Sequence, residues 1–135
     1  MKILIDANII FDVAQLRYPF YEDSALLLKM CQSGQVDGYI ALHSISSFYY
    51  VFGKGQKDKA KIFIKNILHF ITIATPQNKE VLAANEIKMS DLEDSLQIAA
   101  ALSCNAQYIV TRNCKDFLLS SITAITPNAF NKKIL

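Results

Sequence analysis

Five short apolar runs, at residues 3–5, 39–42, 71–74, 108–110 and 122–125, are separated by longer stretches in which apolar residues recur at helical spacing. Strands that alternate with helices in this way form βαβ crossovers, so the chain is expected to be an α/β domain built on a parallel sheet. The helical stretches are predicted at residues 9–16, 21–33, 45–52, 57–70, 79–88 and 91–103, with a short turn near 116–119. With 135 residues, 52% apolar and 19% charged, there is material for one domain with a substantial core, spanning residues 1–135.

Local chemistry marks the boundaries. Ser33-Gly34 ends the second helix, because glycine enters the left-handed C-terminal conformation without steric cost, and Gly53 and Gly55 are expected to do the same after Tyr49-Tyr50-Val51-Phe52. Pro76 follows the third strand. Ser90, with Glu93 three residues on, reads as a capping box at the start of the sixth helix. No internal repeat, low-complexity tract or interdomain linker interrupts the chain.

Several function classes are disfavoured. No apolar run approaches the roughly 18 to 20 residues of a membrane span, and the N-terminus lacks a signal peptide's apolar stretch, which points to the cytoplasm. The three cysteines, Cys31, Cys104 and Cys114, show neither C-x-x-C spacing nor paired histidines, so reduced and mostly buried thiols are expected. A formal net charge of +2 does not announce nucleic-acid binding. Between Lys54 and Lys65, however, five lysines face one aspartate; this is either a solvated helix face or a phosphate-attracting patch that includes Lys54 and Lys57.

The acidic residues lie where a parallel sheet gathers its strand ends. Asp6 directly follows the first strand, where a carboxylate needs hydrogen bonds, a cation or water, and Asn8 can fix its orientation. Asp91 and Asp94 are i and i+3 at the start of a helix, beside an inward stripe expected at Leu92, Leu96 and Ala99 or Ala100. Their like charges are explained either by capping or by a shared divalent cation. Thr111-Arg112-Asn113 then carries the fourth strand into a polar turn; Arg112 offers a planar fork to phosphate, and Asp116 either caps residues 117–119 or joins the cluster.

In order along the chain, strand-Asp6-x-Asn8, Asp91-x-x-Asp94-Ser95 and strand-Thr111-Arg112-Asn113-x-x-Asp116-Phe117 closely resemble the PIN domain. This family is dominated by metal-dependent ribonucleases and includes the toxins of VapBC-type toxin–antitoxin pairs. The resemblance implies a three-layer α/β/α fold with a central parallel sheet and acidic residues gathered around Mg²⁺ or Mn²⁺. It makes Asp6 the first acid, Asp94 the helical acid, and Asp91 and Asp116 accessory acids, with Asp6, Asp94 and Asp116 catalytic. Asn8, Ser47, Thr111 and Asn113 would support them, while Arg112, Lys54 and Lys57 would meet RNA phosphates. RNA, an antitoxin protein and a second copy of the chain are the implied partners. Two positions depart from the family pattern: Ser47 is the nearest equivalent of an acid often found after the second strand, and Asn113 stands at the last acid position. Each lost carboxylate weakens the neutralisation of a 2+ ion, which implies one metal and weak activity, or a non-catalytic module that binds RNA or protein.

Other constellations are poorer. An aspartyl-nucleophile phosphatase needs a second acid two residues after the first, where this chain has Asn8. There is no G-x-G-x-x-G and no G-x-x-x-x-G-K-[ST]. His43 and His69 read as structural residues at helix ends. Phe48, Tyr49, Tyr50 and Phe52 read as core or, if exposed, as a surface for bases or a partner, and Tyr18-Pro19-Phe20-Tyr21 is equally two-sided.

Overall fold

A computed structural model describes residues 1–88 and 91–135. Five strands, β1 (Lys2–Ile5), β2 (Asp37–Ala41), β3 (Ile71–Ala74), β4 (Tyr108–Val110) and β5 (Thr123–Ile125), pair in parallel in the order β3-β2-β1-β4-β5. The helices of the described residues are α1 (Ala7–Ala14), α2 (Tyr21–Gln32), α3 (Leu42–Phe52), α4 (Lys57–Ile67), α5 (Asn78–Asn85), α6 (Leu92–Ser103) and α7 (Pro127–Ile134), with a 3-10 turn at Cys114–Phe117.

Alternation along the strands splits the core between two faces. Ile3, Ile5, Ile40 and Val110 pack against Ile9, Ile10, Leu27, Phe48, Ala60, Ile67 and Phe130 of α1, α2, α3, α4 and α7. Leu4, Ala41, Ala74 and Ile109 pack against Ala84 of α5 and Ile98 to Ala101 of α6. Each strand is covered on both sides, as a parallel sheet requires, and the result is a three-layer α/β/α fold. The alanines of α6 are fully buried, and their small side chains let this helix lie close to the sheet.

Boundaries moved where local geometry overrode pattern. Leu42 is not the end of a strand: Ala41 caps α3 directly, and Leu42 is 62% exposed in its first turn. Leu92 is also 62% exposed, so the buried stripe of α6 starts at Ser95 and excludes it. Gly34 and Gly55 do take the left-handed conformation, with φ +83° and +77°. Gly53 does not, having φ −75°; a Cβ there would collide with the Tyr49 carbonyl. The capping role read for Ser90 lies outside the described residues. Helix α7 was not anticipated, although Thr126 caps it by accepting from the Ala129 N–H at 3.2 Å, with Pro127 in the first turn.

The cysteines are free, Cys31 and Cys104 buried and Cys114 half-buried, and burial pushes the Cys31 thiol up to about 12. The aromatic run divides. Phe48 is buried between Phe11, Phe52 and Phe63 at ring distances of 4.9 to 5.2 Å, while Tyr50 is 81% exposed.

Candidate metal centre

From β1 the chain steps to β2 and β3 on one side, and β4 and β5 lie on the other. The seam between β1 and β4 is therefore the topological switch point, where the loops leaving adjacent strands part and open a crevice. Asp6 stands at this seam, its N–H donating to the Val110 carbonyl at 3.0 Å. As the N-cap of α1 it is extended, and its Oδ1 accepts from the Ala7 N–H at 2.7 Å. From the end of β4, the fully buried Thr111 donates its hydroxyl to Asp6 Oδ2 at 2.7 Å. Asn8 donates to the same oxygen at 3.4 Å and to Thr111 Oγ1 at 3.3 Å. From α6, Gln97 Nε2 donates to Asp6 Oδ1 at 3.1 Å and to Ser44 Oγ, on α3, at 2.7 Å.

The same face of α6 carries Asp94, one turn before Gln97, into the acidic cluster. Burial pushes the Asp94 carboxyl up to about 6, and the negative charges of Asp91, Asp116, Asp6 and Glu93 add to the effect in that order. Burial also raises Asp6, opposed by the Thr111 and Ala7 hydrogen bonds and by His43, and reinforced by Asp116. His43 is held below the usual imidazole range by burial, with Glu93 and Asp6 pulling the other way. Carboxylates from three separated segments thus repel one another in one crevice.

The expected residues are distributed unevenly around it. Asp6, Asp91 and Asp116 fall within electrostatic reach of Asp94, and Asp91 also caps α6 by accepting from the Glu93 N–H at 2.9 Å. Asn8 and Thr111 belong to the bonded network. Asn113 joins through its backbone, its N–H donating to Thr111 Oγ1 at 3.0 Å while the residue is exposed. On α3 it is Ser44, not Ser47, that bonds into the network; Ser47 lies one turn further along and half-buried. Arg112, expected to offer a planar fork to phosphate, is engaged within the chain through its Nε. Its Nε donates to Asp12 Oδ2 at 2.8 Å, and its guanidinium lies over the Phe20 ring at 4.2 Å. Asp12 is fully buried and would be left uncompensated without it. Lys54 and Lys57 are exposed.

Gln97, Ser44 and Asp12 escaped the sequence reading. A spacing of three from Asp94 was the available signal for Gln97; nothing local distinguished Ser44 from its neighbouring serines.

The donor set suits a hard cation. Asn8 Oδ1, Gln97 Oε1 and His43 Nε2 are buried without a partner among the described residues. Orphaned polar atoms beside a carboxylate require partners, and the water molecules of a hydrated ion can supply them. Among the described residues no group of three or more His, Cys, Asp or Glu side chains is placed to hold a metal ion. Mg²⁺ ordinarily needs none, because it takes one or two carboxylates, keeps several waters and accepts substrate phosphates. Asp6 and Asp94 fit that role.

Comparison with known proteins bears on the family and the fold. A family model for the PIN domain matches residues 2–115. Ribonuclease VapC1 of Aquifex aeolicus (strain VF5) is 28% identical over 134 residues, covering 96% of this chain and 92% of that protein. Among solved structures, VapBC2 from Rickettsia felis, bound to a DNA fragment from its promoter, has a similar fold, with a TM-score of 0.73 at 16% identity over 93% of this chain and 98% of that one. VapBC-1 from nontypeable Haemophilus influenzae gives 0.69 at 17% identity, covering 95% and 99%. FitAB bound to the IR36 DNA fragment gives 0.68 at 15% identity, covering 93% and 94%. With its family model spanning the sheet from β1 to β4 and the turn beyond, this chain belongs to the PIN domain family.

Proposed function

We propose that this chain is a Mg²⁺- or Mn²⁺-dependent endoribonuclease, acting as the toxin half of a toxin–antitoxin pair. The observation that carries the reading is the convergence of Asp6 with the Asp94 face of α6 at the switch point, where the Asp94 carboxyl is pushed up to about 6 by burial and neighbouring acids. Support for the substrate class and partner comes from the likeness to Ribonuclease VapC1 and to the VapBC and FitAB assemblies. RNA, an antitoxin and a second copy of the chain are the partners of this reading.

When bound, the ion supplies Lewis-acid polarisation of a phosphodiester and lowers the pKa of an attacking water. The residues supply placement. Thr111 and Ala7 donate to Asp6 and favour its ionised form against the larger effect of burial. Asp94 adds the second principal carboxylate, and the exposed Asp91 and Asp116 reinforce the negative potential. Arg112 anchors the turn that carries Thr111 and Asn113, while Lys54 and Lys57 steer the phosphates. Cleavage of a panel of single-stranded and looped RNAs in Mg²⁺ tests the reading. Asp6→Asn and Asp94→Asn should each lose more than the roughly 10- to 100-fold that the loss of an outer-shell partner costs. Full activity in both variants would refute the mechanism.

One observation favours a non-catalytic binding module. Asp6 already accepts four hydrogen bonds, from Ala7, Gln97, Thr111 and Asn8, so every lone-pair direction is engaged. The Asn8 bond is the longest of these, at 3.4 Å, and is the one a cation would displace. Calorimetry without Mg²⁺ or Mn²⁺ binding at millimolar metal would decide for the module.

A further inference from the structure

We infer that Gln97 is a positioning residue of this site: its amide nitrogen clamps the Asp6 carboxylate to Ser44, and its carbonyl oxygen, buried without a partner among the described residues, is left as an acceptor for a donor bound there. The inference rests on the metal-dependent reading and names machinery that the reading does not require.

Gln97 is 4% exposed and sits on α6 beside Ile98, Ala99, Ala100 and Ala101, all fully buried. A polar amide in that setting is costly unless its groups are used. Both N–H bonds of its nitrogen are used, toward Asp6 Oδ1 at 3.1 Å and Ser44 Oγ at 2.7 Å. Chemistry also fixes which way the amide points. Reversed, it would set oxygen against the Asp6 carboxylate, acceptor against acceptor, and Asp6 would lose a donor. The orientation that satisfies Asp6 leaves Gln97 Oε1 buried and without a partner among the described residues.

Ser44 completes the clamp. It is 1% exposed in the first turn of α3, so its hydroxyl is a fixed acceptor that stops the Gln97 side chain from swinging away. Through this pair, α3 and α6 together set the position of a carboxylate that belongs to the β1–α1 junction. An apolar side chain of the same length would fill the volume but hold nothing. Glutamate would lose both donors and add a charge against Asp6.

The test uses the full chain, stripped of metal and titrated with Mn²⁺ by calorimetry, beside Gln97→Met, Ser44→Ala and the double variant, with thermal unfolding as the control. Gln97→Met should bind Mn²⁺ roughly 10- to 100-fold more weakly, the range for outer-shell partners of a metal ligand, with an unfolding midpoint close to that of the parent. Ser44→Ala should show a smaller loss, and the double variant should be no weaker than Gln97→Met, because the two residues act as one unit. Parental affinity in a folded Gln97→Met overturns the inference. Should Gln97→Met fail to fold, Ser44→Ala decides in the same way. If the parent itself binds no Mn²⁺, the metal-dependent reading fails separately, and the clamp is judged without metal by NMR. Gln97 side-chain amide protons protected from solvent exchange in the parent, and released in Ser44→Ala, support it. Rapid exchange in the parent rejects it.

Discussion

Burial in the crevice, reinforced by the negative charges of Asp91, Asp116, Asp6 and Glu93, pushes the Asp94 carboxyl from 3.8 to about 6. A carboxyl raised on folding binds more protons folded than unfolded, so the stability it contributes is fully present below 3.8 and is lost as pH rises through about 6. Asp94→Asn removes that penalty. In chelator, the variant should melt above the parent at pH 7, and the difference should vanish toward pH 3.5; a difference independent of pH would place Asp94 outside the cluster. Arg112 makes the opposite kind of prediction. Arg112→Leu leaves Asp12 buried with no cation and should cost about 3–5 kcal/mol in denaturant unfolding. A loss below about 1 kcal/mol, typical of exposed pairs, would mean the pair is solvated. Asp6 and Asp94 were legible in the sequence because a carboxylate at a strand end and another at a helix start have few comfortable alternatives. Gln97 and Asp12 were not, because their partners lie 91 and 100 residues away and only the folded chain brings them together.

The spacing of the elements is set by small residues, and Gly38 shows this most directly. A Cβ there would stand 2.8 Å from Cys31 Sγ and 3.1 Å from Ile5 Cδ1, pushing α2 away from the sheet. Gly38→Ala should therefore cost about 1–3 kcal/mol, the usual range for overpacking, as read from chemical denaturation. A neutral or stabilising result would mean that α2 yields freely. At this scale the strands and most helices were legible from periodicity, whereas their ends were not. Leu42 extends the apolar run of β2, yet α3 begins there with no intervening loop, so pattern and boundary disagree by one residue. Helix α7 was missed although Thr126-Pro127 is a recognisable start, because its eight residues offer too little periodicity after that signal.

The molecule as a whole turns a crossing of chain order into a site. With β1 central, the segment after β1 is 85 residues from the start of α6, counting from Asp6 to Asp91, and the turn after β4 begins at Thr111, 20 residues beyond Asp91, yet all three open onto one crevice. That convergence was legible once the βα rhythm was read, since strand ends in a parallel sheet share an edge. The four-fold hydrogen bonding of Asp6 was not, because two of its donors, Thr111 after β4 and Gln97 on α6, lie 105 and 91 residues away along the chain. No helix among the described residues is long and apolar enough to cross a membrane. The central claim is that the crevice captures a divalent ion, and anomalous diffraction from crystals soaked in Mn²⁺ tests it most directly. A peak between the Asp6 and Asp94 carboxylates, absent after soaking an Asp94→Asn crystal, is the predicted result. A crevice without Mn²⁺ density at millimolar metal, with Asp6 still bonded to Asn8, Thr111, Ala7 and Gln97, would contradict it.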